Sequence, residues 1–243
     1  MITHFILMSS SYYIGKRIVL DLTNVKDVQT FRQIIQSVKK ECGNDVSITT
    51  HIIETDSKKF DSVKKVDRFF NDVYLVKNLN EFIKLVRKDR KLEAMDVAKY
   101  ILTKRPCNHL LLEKLVYFCY ADYLVATKKK LFDDKIYAYT YGPIINSIYS
   151  KFKRRGLDEL KVEEIDGNFE PNSYLPARSR ILSADDGFLK CFIIERTLLK
   201  LSKLDVWDIV NLTHKKGSPW ERTQQSCVIL DSDILKYHYV EDV

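Results

Sequence analysis

The feature that most restricts the fold of this 243-residue chain is a change of hydrophobic period near residue 92. Before it, short β-branched runs alternate with amphipathic stretches; after it, the period is helical almost throughout. "KRIVLDL" (16–22), "VSITTHIIE" (46–54) and "DVYLVK" (72–77) read as strands. The opening "MITHFILMSS" reads as a further strand rather than a secretion signal, because no charged region precedes its short apolar run. "DVQTFRQIIQSVKKECG" (27–43) sets Val28, Phe31, Ile34, Ile35 and Val38 at helical spacing, with Asp27 to cap it and Gly43 to stop it. "NLNEFIKLVRK" (78–88) repeats the period through Leu79, Phe82, Ile83 and Val86. A β-α-β-β-α order predicts a small α/β or α+β module over residues 1–92. "LDLTNVKD", after the second strand, holds no glycine, so a dinucleotide or phosphate-binding loop is unsupported.

Residues 93–243 read as a mainly helical domain with a short β element, which makes the chain α+β. "MDVAKYILTK" (95–104) is amphipathic through Val97, Ala98, Ile101 and Leu102. "NHLLLEKLVYFCYADYLVAT" (108–127) predicts a long helix capped by Asn108, apolar at Leu112, Leu115, Val116, Cys119 and Tyr123. "KKKLFDDKI" is a polar turn and "YAYTYG" a short extended piece, with Tyr137, Tyr139 and Tyr141 on one strand face. "PIINSIYSKFKRRG" (143–156) predicts a helix that Pro143 starts and Gly156 ends. Residues 161–186 are polar and irregular, a long loop or a hairpin. From 186 to 214 the helical stripe runs through Phe188, Phe192, Ile193, Leu199, Leu204, Val206 and Val210.

Chemistry-bearing patterns are sparse. The five cysteines are far apart and form no CxxC, which points to free thiols in a reducing cytosol. No apolar run approaches the roughly 18 residues of a membrane span. The five histidines are isolated, and Cys107-x-His109 is one pair without a second, so neither a metal site nor a cofactor is expected. A Cys119–His214 nucleophile competes with the reading of Cys119 as a core thiol, which its apolar helix face favours. Asp133–Asp134 reads as solvated or capping. The chain is read as no enzyme; a polar pocket around His214, Tyr141 and Asp133 would revive that class. A net charge of +7 permits nucleic acid or an acidic protein and demands neither. Lys128, Lys129, Lys130, Lys151, Lys153, Arg154, Arg155, Lys215 and Lys216 supply cations, and tyrosines could stack on bases. The charge is scattered, however, and Lys151–Arg155 sit where cations complement a helix dipole, so nucleic acid is not favoured.

Three segments in register resemble the Panacea domain family, the SocA-like antitoxins of bacterial and phage-associated toxin–antitoxin systems. They are the L-x-K-L-x-Y-F run with Leu112, Leu115, Tyr117 and Phe118; the succession Leu131, Phe132, Tyr141, Gly142, Pro143 and Tyr149; and the late Thr213, His214, Pro219 and Trp220. The resemblance covers about residues 93–225. It implies a mostly helical, non-enzymatic cytoplasmic protein of a bacterial host, encoded on a chromosome, prophage or phage, that neutralises a cognate toxin by direct binding. For some members it also implies delivery of the toxin to a protease. Lys128–Lys130 and Lys151–Arg155 would then form a basic rim for the partner. The signature residues themselves read first as packing and turn residues. The alternative is a phage or prophage factor that binds nucleic acid or a host defence protein. The role of residues 1–92 is left open among partner specificity, DNA binding and dimerisation.

Overall fold

The computed structural model describes residues 1–160 and 175–242, and the chain is α+β. It divides into two compact units, Met1–Lys91 with Ser183–Asp185, and Leu92–Leu182 with Asp186–Val243.

The first unit is built on β1 (Ile2–Ser11), whose run of Phe5, Ile6, Leu7 and Met8 is buried on both faces. Such a strand must lie inside a sheet with cover on each side. It does: β2 (Lys16–Leu22), α1 (Val28–Cys42), β3 (Thr49–Thr55), α2 (Phe60–Val66), β4 (Val73–Leu75) and α3 (Leu79–Arg90) follow, and the sheet order is β3-β1-β2-β4. β1 pairs antiparallel with both neighbours, and β2 pairs parallel with β4. Phe5, Leu7, Ile18 and Leu20 meet Phe31 and Val38 of α1 and Phe82 and Val86 of α3. On the opposite face Ile6, Met8 and Val19 meet Phe60 and Val63 of α2 and Phe70 of a short 3-10 turn. Asp27 and Asn78 cap α1 and α3 by accepting from Thr30 N and Glu81 N. The sequence reading passed over α2, whose single apolar side is too short to show a period.

The second unit is arranged around α5 (His109–Thr127), preceded by α4 (Ala94–Leu102). Every residue from Leu110 to Ala121 is buried, including Glu113 and Lys114. A helix apolar on all sides has to be enclosed. β5 (Ile136–Tyr139), β6 (Gly142–Ile145), α6 (Asn146–Phe152), α7 (Leu175–Ser183), α8 (Gly187–Lys200), α9 (Val206–Thr213), α10 (Pro219–Arg222) and α11 (Asp231–Tyr237) follow it. Of these, β6, α6, α8, α9 and α11 pack on α5, as does α4.

Three local expectations are corrected. Pro143 starts no helix: it lies in β6 opposite Ala138, and α6 begins only at Asn146. Ala138 turns its own N–H and C=O away, to Cys227 O and from Ser226 N. Ala138–Pro143 is therefore a non-hydrogen-bonded pair, where the missing proline N–H costs no ladder bond. The part of 161–186 within the described residues is not a loop, since Leu175–Ser183 is α7; residues 161–174 lie outside them. On α8 the buried side is Cys191, Ile193, Ile194 and Leu198, so Ile193 of the expected stripe is buried while Phe188, Phe192 and Leu199 are exposed. Apolar residues surround most of that helix, so period alone misplaces much of the stripe.

The C-terminal turn, 3-10 residues His238–Glu241, is locked to α5 by a buried polar chain. His238 Nε2 bonds Asp122 Oδ1 at 2.9 Å, its Nδ1 bonds Glu241 Oε2 at 2.7 Å, Tyr117 donates to Glu241, and Thr197 donates to Asp122. Burial alone would lower the imidazole, but its bonds to Asp122 and Glu241 outweigh that and hold it at about 9. Burial pushes Glu241 up, partly offset by His238 and Tyr117; burial also opposes the charge on Asp122, but the bonds from His238 and Thr197 win and lower it. His238 gains these partners only on folding, so its stabilisation is complete below the ordinary value of 6.5 and is lost as pH rises through about 9. In chemical denaturation, the stability difference between wild type and His238→Gln is expected to be on the order of 2–3 kcal/mol near neutral pH and to shrink steeply across that window. A difference that is flat with pH would show an uncharged imidazole.

Candidate functional site: the β5–β6 hairpin and its surroundings

The family-signature residues divide by position. Leu112, Leu115, Tyr117 and Phe118 line α5, and Leu131 and Phe132 pack beneath it, Phe132 against Tyr120 at 4.8 Å. All six are buried and hold the frame. Tyr141, Gly142, Pro143, Tyr149, Thr213, His214, Pro219 and Trp220 gather around the β5–β6 hairpin.

The hairpin is anchored from below by two buried charges that the sequence reading did not single out. Lys114 Nζ donates to Pro143 O at 2.7 Å, and Glu113 Oε2 accepts from Ile145 N at 2.8 Å. Together they satisfy backbone groups of β6 that would otherwise be buried unpaired. Burial pushes Glu113 up to about 8 and Lys114 down to about 7, with each charge partly restoring the other. A legible signal was present: Glu-Lys inside "LLLEKLVYF" leaves no polar face on which either could meet water. Gly142 makes the close approach possible. Its φ is +99°, and a Cβ there would lie 2.7 Å from Thr213 Oγ1 and 2.9 Å from Lys114 Cε.

From the side the hairpin is held by α9 and α10. His214 closes α9, where its Nδ1 bonds Val210 O and its Nε2 bonds Thr140 O at 3.2 Å. Its ring lies 3.8 Å from that of Trp220, whose Nε1 donates to Tyr139 O at 2.8 Å. Ser218 caps α10 and also donates to Thr213 O, and Pro219 is buried at the first position of the helix. The tip of the hairpin is thereby fixed while its side chains stay outside. Tyr141 does not continue the strand face of Tyr137 and Tyr139, as the period-2 reading had it. β5 ends at Tyr139, and Tyr141 sits in the turn, 59% exposed. It meets Trp207, 50% exposed at the start of α9, at 6.3 Å. Trp207 was missed because it falls off the apolar stripe of its helix; an aromatic residue off-stripe was the available signal.

The basic residues form two groups rather than one rim. Lys151 lies in the last turn of α6, and Lys153, Arg154 and Arg155 form the 3-10 turn after it, all exposed. Lys153 Nζ lies 5.5 Å from the Tyr149 ring, and Tyr149 meets Tyr139 at 5.6 Å, which ties this group to the hairpin. Gly156 O bonds His109 at the first residue of α5, whereas Lys128, Lys129 and Lys130 follow the last. The 19-residue helix holds the two groups about 28 Å apart. Lys129 pairs with Asp186 and Lys130 with Asp231.

Of the residues weighed for catalysis, Cys119 is fully buried and burial pushes its thiol well above the ordinary value. Asp134 accepts from Ala94 N and Ser147 Oγ, and Asp133 is exposed. Among the described residues no cluster of three metal-ligating side chains is present, and no helix is long and apolar enough to cross a membrane.

Three variants check the anchor. Lys114→Ala is expected to cost about 3–5 kcal/mol, because it strands Glu113 and Pro143 O; adding Glu113→Gln to Lys114→Met is expected to return much of that loss. Gly142→Ala is expected to cost more than about 1 kcal/mol, from both φ and the contacts of its Cβ. Calorimetric melting of the purified variants measures all three.

The comparisons with known proteins fall on this same region. The antitoxin SocA-like Panacea domain matches residues 112–221. Antitoxin SocA of Caulobacter vibrioides (strain NA1000 / CB15N) is 24% identical over 145 residues, 56% of this chain and 73% of that protein. No solved structure matches the chain. Residues 112–221, which run from the buried anchor helix to the Trp220 clasp, match the antitoxin SocA-like Panacea domain.

Proposed function

We propose that the chain is an antitoxin that neutralises a cognate toxin by binding it directly, without catalysis, through the face around Tyr141 and Trp207. An antitoxin role is what the SocA-like domain supports. The observation that carries the choice of face is the exposed Tyr141–Trp207 pair on a rigidly held hairpin tip. Tyrosine and tryptophan dominate binding hot spots because they bury a large area with few rotors to freeze. Here the backbone beneath them is fixed by Lys114, His214 and Trp220, so little further ordering is needed on binding. Lys153, tied to the hairpin through Tyr149, would steer an acidic partner toward this face.

Co-expression with the product of the adjacent open reading frame tests this reading. Growth rescue and a co-purifying complex are expected from the wild type. Tyr141→Ala and Trp207→Ala should each weaken the complex at least tenfold while leaving the melting temperature within a few degrees. Neither rescue nor a complex would count against the antitoxin reading. Rescue untouched by both substitutions would move the toxin to another face.

The second reading, nucleic-acid contact, draws on the exposed cations of the 3-10 turn. It requires a DNA or RNA shift that weakens with salt and with charge reversal at Lys153, Arg154 and Arg155. The protease-adaptor role is separable: it requires the toxin to be degraded faster in the complex than alone.

A further inference from the structure

The open edge of β3 has a pairing pattern that fits one occupant. β3 is an edge of the four-stranded sheet and, among the described residues, pairs with β1 alone. The direction of its backbone groups follows from the rest of the sheet. Val76 N donates to Val19 O at 2.9 Å, so Val19 points its polar groups toward β4 and away from β1. Val19 faces Met8, which makes that a non-hydrogen-bonded pair. Alternation along β1 then turns the groups of His4, Ile6 and Met8 to β3, where they face Ile53, His51 and Thr49. The remaining residues of β3, Thr50, Ile52 and Glu54, therefore present their N–H and C=O groups outward.

Little in "TTHIIET" defends this edge beyond the single carboxylate of Glu54. It holds no proline and no lysine, the usual guards against strand pairing, and Ile52 is 51% exposed at its centre. An edge of this kind takes an extended segment. A two-fold axis through Ile52 makes β3 its own antiparallel partner: Ile52 faces Ile52, and each Thr50 faces the other copy's Glu54. All outward donors and acceptors of those three residues are then satisfied. The central contact is apolar, and each carboxylate meets a hydroxyl donor rather than a like charge. Moving the axis to Glu54 would set two carboxylates face to face. We infer that the β3 edge is a homodimerisation surface, on which a second copy of this chain extends the sheet through antiparallel β3–β3 pairing centred on Ile52.

Sedimentation velocity of the full chain over a wide concentration range tests this. The wild type is expected to shift reversibly from monomer to dimer. Ile52→Lys, which opposes two ammonium groups at the axis, should keep the circular dichroism spectrum and remain monomeric. Thr50→Lys, which sets an ammonium against the other copy's Glu54, should tighten the dimer a few-fold. A wild type that stays monomeric, or an Ile52→Lys variant that dimerises as well as the wild type, overturns the inference. So does a monomeric wild type whose complex with the co-expressed partner is lost on Ile52→Lys, since the edge would then take the partner's strand. Should Ile52→Lys fail to fold, hydrogen exchange on the wild type decides: protection of the Thr50, Ile52 and Glu54 amides must rise with protein concentration, and protection independent of it overturns the dimer.

Discussion

The bonds from Lys114 to Pro143 O and from Ile145 N to Glu113 are what the second unit is arranged around. A helix enclosed on every side offers no place for two charges, and burial works against both, raising Glu113 and lowering Lys114. Their retention makes sense through the strand beside them. β6 is itself buried and short, and its backbone cannot be left unpaired. The two side chains do for β6 what a further strand would do, and they fix its register on α5. The opposing shifts act in successive windows: the raised carboxyl loses stability as pH climbs from 4.5 to about 8, and the lowered ammonium gains it as pH climbs from about 7 to 10.5.

Rigidity below and exposure above are linked at the hairpin. Gly142 lets the chain turn within contact distance of Thr213 and Lys114, so the tip cannot be displaced inward or outward without losing those contacts. His214 and Trp220, whose rings touch at a tilt, hold the carbonyls of Thr140 and Tyr139 on either side of β5's end. These polar contacts go to backbone, so the side chains of Tyr141 and Trp207 are left to face solvent on a fixed platform. Residues that look like a recognition surface in sequence, such as Tyr149, His214 and Trp220, are largely the braces of that platform.

How far the sequence could be read follows from which forces are local. α1 and α3 were legible because their caps and stops lie within their own residues: Asp27, Gly43 and Asn78 act on neighbours in the chain. β2 was legible through its β-branched run. Pro143 was not, because a proline at a helix start and one at a non-bonded strand position look alike locally. Residues 226–229, which take up the other side of β5, decide between them. The exposed stripe of α8 and the depth of Lys114 were hidden for a related reason. Both depend on what surrounds a helix that is apolar on most sides, and periodicity carries no information once every side is apolar. Of the candidate site, the hairpin segment and the late clasp were visible as a resemblance, but the anchor and Trp207 were not.

The first unit shows how one strand can set both the order and the edges of a sheet. The four consecutive buried apolar residues Phe5–Met8 of β1 demand cover on both faces and a partner on both sides. α1 and α3 cover Phe5 and Leu7, while α2 covers Ile6 and Met8. That arrangement sets α3 over β1 and β2, while α2 packs on β3 from the opposite face. Ile52 faces the same side as its partner Phe5, the side of α1 and α3, yet half of it remains exposed. Its exposure is thus a consequence of where β1 had to go. The strand that most needed burial took the centre, and the β-branched strand left at the rim kept both an exposed apolar side chain and, among the described residues, an unpaired edge.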